Sequence, residues 1–217
     1  MENNENIRTL TQIEHIRRRP VMYIGKLGDG SCCEDGMYIM LKEILDSSVK
    51  ASLNGGGNQI SVNLEGNHLS LRSFTHGIPF QEIERTILGK YSRGMYVFKW
   101  RPPLEYAIIC ALSSEMLIES YCYGQMKSIL TSCGEITTNE VPIETNEPDG
   151  VFISFLPDKS IFGDYNYNAD IIRHILYIYS VCNSELRFIF GDEVFYNQKG
   201  MLDLPANQKV DIDLHNL

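Results

Sequence analysis

KEILDSSVK, residues 42–50, decides how the chain is read. In a helix, positions three and four apart are neighbours, so Glu43, Asp46 and Ser47 share one face. Ile44 and Leu45 point the other way, toward a core. The surrounding residues extend the pattern. Met37, Ile39, Met40, Ile44, Leu45, Val49 and Leu53 recur at helical spacing over 37–53, and Asn54 with three glycines ends the run. Two carboxylates and a hydroxyl on such a helix are either a solvated face or part of a site, and the neighbouring segments must choose.

Upstream, TLTQIEHIRR (9–18) reads as a short helix capped by Thr11, with Glu14 three residues on. Its terminal arginines suit the helix dipole and Pro20 stops it. KLGDGSCCEDG (26–36) is a glycine-rich turn region. Downstream, QISVNLEG (59–66) and NHLSLRSF (67–74) alternate as a hairpin turned at Glu65-Gly66-Asn67. HGIP (76–79) is a loop signal, QEIERTIL (81–88) a short helix, and PPLEYAIICALSS (102–114) a buried helix begun by prolines. Strands are predicted at 116–124, 126–134, 135–143 and 150–157, a helix at 168–183, and a last strand pair in ELRFIFG and EVFYN. Early helices with consecutive strands in meanders argue α+β: a mostly antiparallel sheet with helices on one face. One domain is expected over 1–200, with 201–217 as a peripheral C-terminal tail.

The 217 residues carry 28 acids against 19 bases, a formal net charge of −9. Such a chain is repelled by phosphate backbones, so direct nucleic-acid binding is not expected. The one concentration of positive charge, Arg17-Arg18-Arg19, reads as a solvated helix end. None of the six cysteines lies in a CxxC or at zinc-like spacing. The opening MENNENIRTL is too polar for a signal segment, and no apolar run approaches the ~18–20 residues of a membrane span. A reducing cytoplasm is the expected setting.

Five stretches together resemble one family. RRRPVMYIGKLGDG (17–30) is similar to the N-terminal signature of the ATPase domain of the gyrase and topoisomerase IV B subunits. LKEILDSSVKASLNG (41–55) resembles that family's E-x-x-D-N-S-x-D-E helix, and SLRSFTHGIP (70–79) its V-x-D-x-G-R-G-I-P. ALSSEML (111–117) and DGVFISFLPDKSIF (149–162) resemble its N-A-L-S segment and its G-T-x-V-x-F-x-P-D-x-x-I-F. The likeness covers roughly residues 7–197 and implies the two-layer α/β sandwich of the GHKL (Bergerat-type) ATPases, with a mixed, mostly antiparallel sheet. Nucleotide then lies between the helices and the sheet, and ATP binding dimerises active relatives. Those relatives continue into transducer and cleavage domains, so a chain ending at Leu217 is not expected to pass DNA strands alone.

The resemblance also implies roles. Glu43 falls on the general base that activates the attacking water, and Asp46 on the aspartate that follows it. Ser47 replaces the asparagine that holds Mg²⁺, and Lys50-Ala51 replaces the next acidic pair. Ser73 stands for the aspartate that accepts the adenine amino group, Thr75 for a glycine, and His76 for an arginine whose acidic partner is now Ala51. Gly77, Ile78 and Pro79 are kept, as are the frame and turn residues Met22, Tyr23, Ile24, Gly25, Phe155 and Pro157. Val151 replaces a threonine on the adenine side. The glycine-rich phosphate lid becomes FKWRPPLEYAIICALS (98–113), without a glycine. Pro102 and Pro103 lack the N–H that a phosphate nest uses, and Lys99 offers one cation.

These losses imply a degenerate domain that no longer binds or hydrolyses Mg·ATP and acts as an interaction module. No cofactor is expected, with ATP and Mg²⁺ returning only if the ancestral activity survives. A protein partner is expected, and one candidate is a topoisomerase subunit. A homodimer stays open because the N-terminal arm, MENNENIR, is short. The alternatives are a functional ATPase domain of a type II topoisomerase B-subunit-like protein, or a surviving cleft that accepts another ligand.

Overall fold

Thr11 and Glu14 open the first helix reciprocally. The Thr11 hydroxyl accepts the Glu14 N–H at 3.1 Å, and the Glu14 carboxylate accepts the Thr11 N–H at 2.8 Å. In the computed structural model, which describes residues 9–90 and 104–200, this helix is α1 (Gln12–Arg18), with Ile13 and Ile16 buried. The single turn α2 (Val21–Ile24) follows. It leaves Val21 and Met22 58% and 67% exposed, so Met22 lies outside the core although the family signature retains it. α3 (Gly36–Leu53) buries Met37, Met40, Leu41, Ile44 and Leu45, while Leu53, last in the predicted stripe, is exposed.

Next come the hairpin β1 (Gln59–Glu65) and β2 (His68–Ser73), α4 (Phe80–Ile87) and α5 (Leu104–Leu112). The sheet continues with β3 (Ser113–Cys122), β4 (Gln125–Ser132), β5 (Glu135–Asn139), β6 (Ile143–Glu144) and β7 (Gly150–Pro157). α6 (Lys159–Phe162), α7 (Ala169–Cys182), β8 (Arg187–Phe190) and β9 (Glu193–Phe195) complete the order. Two predicted boundaries move. α5 gives way to β3 directly at Ser113, two residues before the predicted end of the helix. The stretch read as one strand over 135–143 is two, parted around Pro142, which has no N–H for a ladder.

The strands run β5-β4-β3-β7-β2-β1-β8-β9, with β6 also on β4, and every pairing is antiparallel except β1 with β8. The sheet is therefore mixed and mostly antiparallel. Register lines up a dry row across five strands, Val62, Leu71, Ile153, Ile118 and Ile129, each no more than 2% exposed. Helices cover this face, giving the two-layer α+β sandwich. Arg17 is part of the frame and not of a solvated run. Its guanidinium reaches the Ala111 carbonyl at 2.6 Å and Asp158 at 2.7 Å, tying α1 to the end of β7. Burial alone would raise the Asp158 carboxyl, but hydrogen bonds from Arg17 and Ser160 outweigh it and hold it at about 2. Among the described residues no helix is long and apolar enough to cross a membrane.

Candidate functional site

One register row on the helix-facing side of the sheet carries three polar residues: Ile60, Ser73, Val151, Ser120 and Lys127 lie side by side from β1 to β4. Ser73 ends β2 and Val151 is second in β7, so the row marks one end of the sheet's inner face. Ser73, Val151 and Ser120 are buried. The Ser73 hydroxyl lies 3.5 Å from the Thr75 hydroxyl and 3.4 Å from the Val151 carbonyl, both at the long limit of hydrogen bonding. Thr75, also buried, reaches the His76 carbonyl at 3.3 Å.

The loop that follows is pinned to β3. The Ser120 hydroxyl donates to the Ile78 carbonyl at 2.7 Å, and the Cys122 thiol reaches the same oxygen at 3.5 Å. Gly77 is required there, because a methyl at its Cα would collide with the Tyr121 carbonyl and the Cys122 sulfur. Pro79 then occupies the N-cap of α4, and His76 is exposed.

α3 presents Glu43, Asp46 and Ser47 on a half-buried face, each engaged differently. The Tyr179 phenol of α7 donates to Asp46 Oδ1 at 2.7 Å and lies 3.3 Å from the Lys42 carbonyl. Ser47 meets Tyr106 of α5. Burial raises that phenol's pKa, and its hydrogen bond to Ser47 partly offsets the rise. Glu43 is raised first by burial, then by the like charges of Glu105 and Asp46, with Lys50 opposing. Lys50 Nζ stands 3.4 Å from Glu105 Oε1, linking α3 to α5. Lys99 and the rest of the lid segment as far as Pro103 lie outside the described residues, as does the 201–217 tail.

No protein-family model matches the chain. Curated relatives do. It is 33% identical over 207 residues to the B subunit of DNA topoisomerase 4 from Borreliella burgdorferi, a match covering 93% of this chain and 34% of that protein. It is 30% identical over 217 residues to the B subunit of DNA gyrase from Thermus thermophilus, covering 91% and 33%. Among solved structures, the 43K ATPase domain of Thermus thermophilus gyrase B in complex with an aminocoumarin matches with a TM-score of 0.75. That match is 27% identical and covers 88% of this chain and 53% of that one. The chain belongs to the gyrase B and topoisomerase IV B family of GHKL-type domains. It spans about a third of the length of these two curated relatives.

Within this gyrase B-type domain, the structure gathers Glu43, Asp46 and Ser47 on α3, and Ser73, Thr75 and Val151 at the polar end of the sheet. The 76–79 loop connects β2 to α4. Three contributors escaped the sequence reading: Tyr179, Tyr106 and Ser120. The tyrosines gave no signal beyond packing aromatics. Ser120 could have been found by carrying the alternation of β3 across to Val151. Chemically, the α3 face holds Glu43 in a negative setting, beside Ser47 and an Asp46 carboxylate that accepts the Tyr179 phenol.

Proposed function

We propose that this gyrase B-type domain has lost Mg·ATP binding and hydrolysis and serves as a binding module. The observation that carries this reading is the front of α3. Mg²⁺ takes near-octahedral oxygen ligands at short range and gives up water reluctantly. Ser47 offers one short hydroxyl at the position where the resemblance places an asparagine ligand. Asp46 already accepts the Tyr179 phenol, and Lys50 puts a cation where the family pattern has an acid. This donor set does not suit the metal.

The adenine side supports the same reading. A hydrogen bond to a charged group contributes about 1.5–3 kcal/mol, a neutral one about 1 kcal/mol. Ser73 replaces the charged acceptor, and its hydroxyl is shared with Thr75 and the Val151 carbonyl. The sequence adds a lid segment without glycine and with two prolines. The partner in this reading is a protein, with a topoisomerase subunit as one candidate. The setting is the cytoplasm, and a homodimer is left open. Calorimetric titration of the chain with ATP and Mg²⁺ tests the proposal. No binding heat is expected, and micromolar affinity that requires magnesium would overturn it.

One observation favours a working ATPase instead. Glu43 is retained, and its carboxyl is raised in the direction that poises a general base. Phosphate release by the chain and by its Glu43→Gln variant separates the two readings. Release that disappears in the variant supports turnover, and equal rates count against it.

A further inference from the structure

The two ends of the sheet handle charge differently. At the β9 end arginines stand among the acids: Arg173 binds Glu193 at 2.7 Å and Asp170 at 2.8 Å, and Arg187 lies 4.9 Å over the Tyr196 ring. At the other end, β5 and β6 follow one another along the same flank of β4. Every residue from 137 to 144 is exposed. From Ser128 to Asp158 the sequence has no Lys, Arg or His. Glu135, Glu140, Glu144 and Glu147 stand exposed along this strip, and among the described residues none forms an ion pair.

Apolar surface interrupts the acids. Val141 is 78% exposed and Ile143 51% exposed. Tyr123, at the β3–β4 turn, is 96% exposed and has φ of 54°, a left-handed backbone that a bulky residue adopts at a cost. Asp149 accepts its N–H at 3.0 Å and holds it there. Glycine or asparagine is the unstrained choice for such a turn. A ring this exposed makes no core contact that would account for it.

Charge selects the occupant. The same edge of a second copy repels this one, and so do nucleic acid and anionic membranes. Pro142 interrupts the ladder that an added strand would need, so side chains must carry recognition. We propose that the β5–β6 edge is a docking strip for an extended, lysine- or arginine-rich segment of a protein partner. Its cations pair with Glu135, Glu140, Glu144 and Glu147, and an apolar side chain packs on Tyr123 and Ile143. This deepens the binding-module reading without using the cleft, so nucleotide titration and the following test can fail separately.

The probe is a fluorescein-labelled peptide of alternating lysine and valine. It is titrated into the intact chain by anisotropy, and into ¹⁵N-labelled chain by amide shifts. Shifts are expected at Tyr123–Met126 and over 135–147. Affinity should fall about tenfold in Glu140→Lys with Glu144→Lys, and about threefold in Tyr123→Asn, which keeps the turn and removes the ring. Glu84→Lys, an exposed acid on α4, should leave it unchanged. Absence of binding, shifts centred elsewhere, or equal weakening by Glu84→Lys would each overturn the proposal.

Discussion

The two faces of α3 obey different constraints. Its back places Met37, Met40, Leu41, Ile44 and Leu45 in the layer between helices and sheet, each no more than 1% exposed. Its front places Glu43, Asp46 and Ser47 half in solvent, where Asp46 accepts the Tyr179 phenol of α7. A packed residue is fixed by all its neighbours at once, because interiors are as dense as organic crystals. A cleft residue answers chiefly to what it binds. When that demand lapses, nothing in the packing prevents a carboxylate from taking a phenol as partner. On the proposed reading, the fold remains that of a gyrase B-type domain while the front of α3 is rewired internally.

The largest expected effect lies on the back. Leu45→Ala removes a fully buried side chain and leaves a cavity, which costs about 2–5 kcal/mol in comparable cores. Urea denaturation should show a lower midpoint with an unchanged slope. A loss well under 1 kcal/mol would mean this layer is loosely packed, and the contrast between the faces would collapse.

A smaller effect is expected where the front meets α7. Tyr179→Phe keeps the ring but deletes the donor to Asp46 and its contact with the Lys42 carbonyl. The loss should be about 1 kcal/mol, since Asp46 is half exposed and water can replace the phenol. The variant also leaves Asp46 Oδ1 without its phenol donor. Magnesium-dependent nucleotide binding should still be absent from its titration heats. If such binding appears, the Tyr179 contact masks a competent site, and the front was not rewired but only covered.

The sequence made the back of α3 and the β1–β2 hairpin readable because periodicity reports directly on which face is dry. The predicted helix over 37–53 is found over Gly36–Leu53. α2 and α6 were not readable, since four residues are too few to display a period. The 135–143 stretch misled because its alternation continues through Pro142, where pairing cannot. Arg17 looked like one member of a solvated run, and its partner Asp158 is 141 positions away. The front face was readable as polar from spacing alone, and its roles came only from the family resemblance. Tyr179 lies 133 positions from Asp46, a pairing that only the packing of α7 against α3 creates.

The smallest effect is the most discriminating about the front. Glu43 has its carboxyl raised above the ordinary 4.5 by burial first, then by Glu105 and Asp46. A carboxyl that holds its proton more tightly when folded contributes most at acid pH. That contribution is lost as pH rises from the unfolded value through the folded one. At neutral pH the ionised Glu43 therefore works against the fold, reduced by its partial contact with solvent. Glu43→Gln should raise stability slightly at neutral pH, within about 0.5 kcal/mol, and leave it unchanged at acid pH where the wild-type carboxyl is protonated. Urea titrations of both proteins at the two pH values decide the matter. A clear loss of stability in Glu43→Gln at neutral pH would mean the carboxylate has a favourable partner in the fold. The front of α3 would then be held by packing chemistry as firmly as the back, and its retained acid would need no functional explanation.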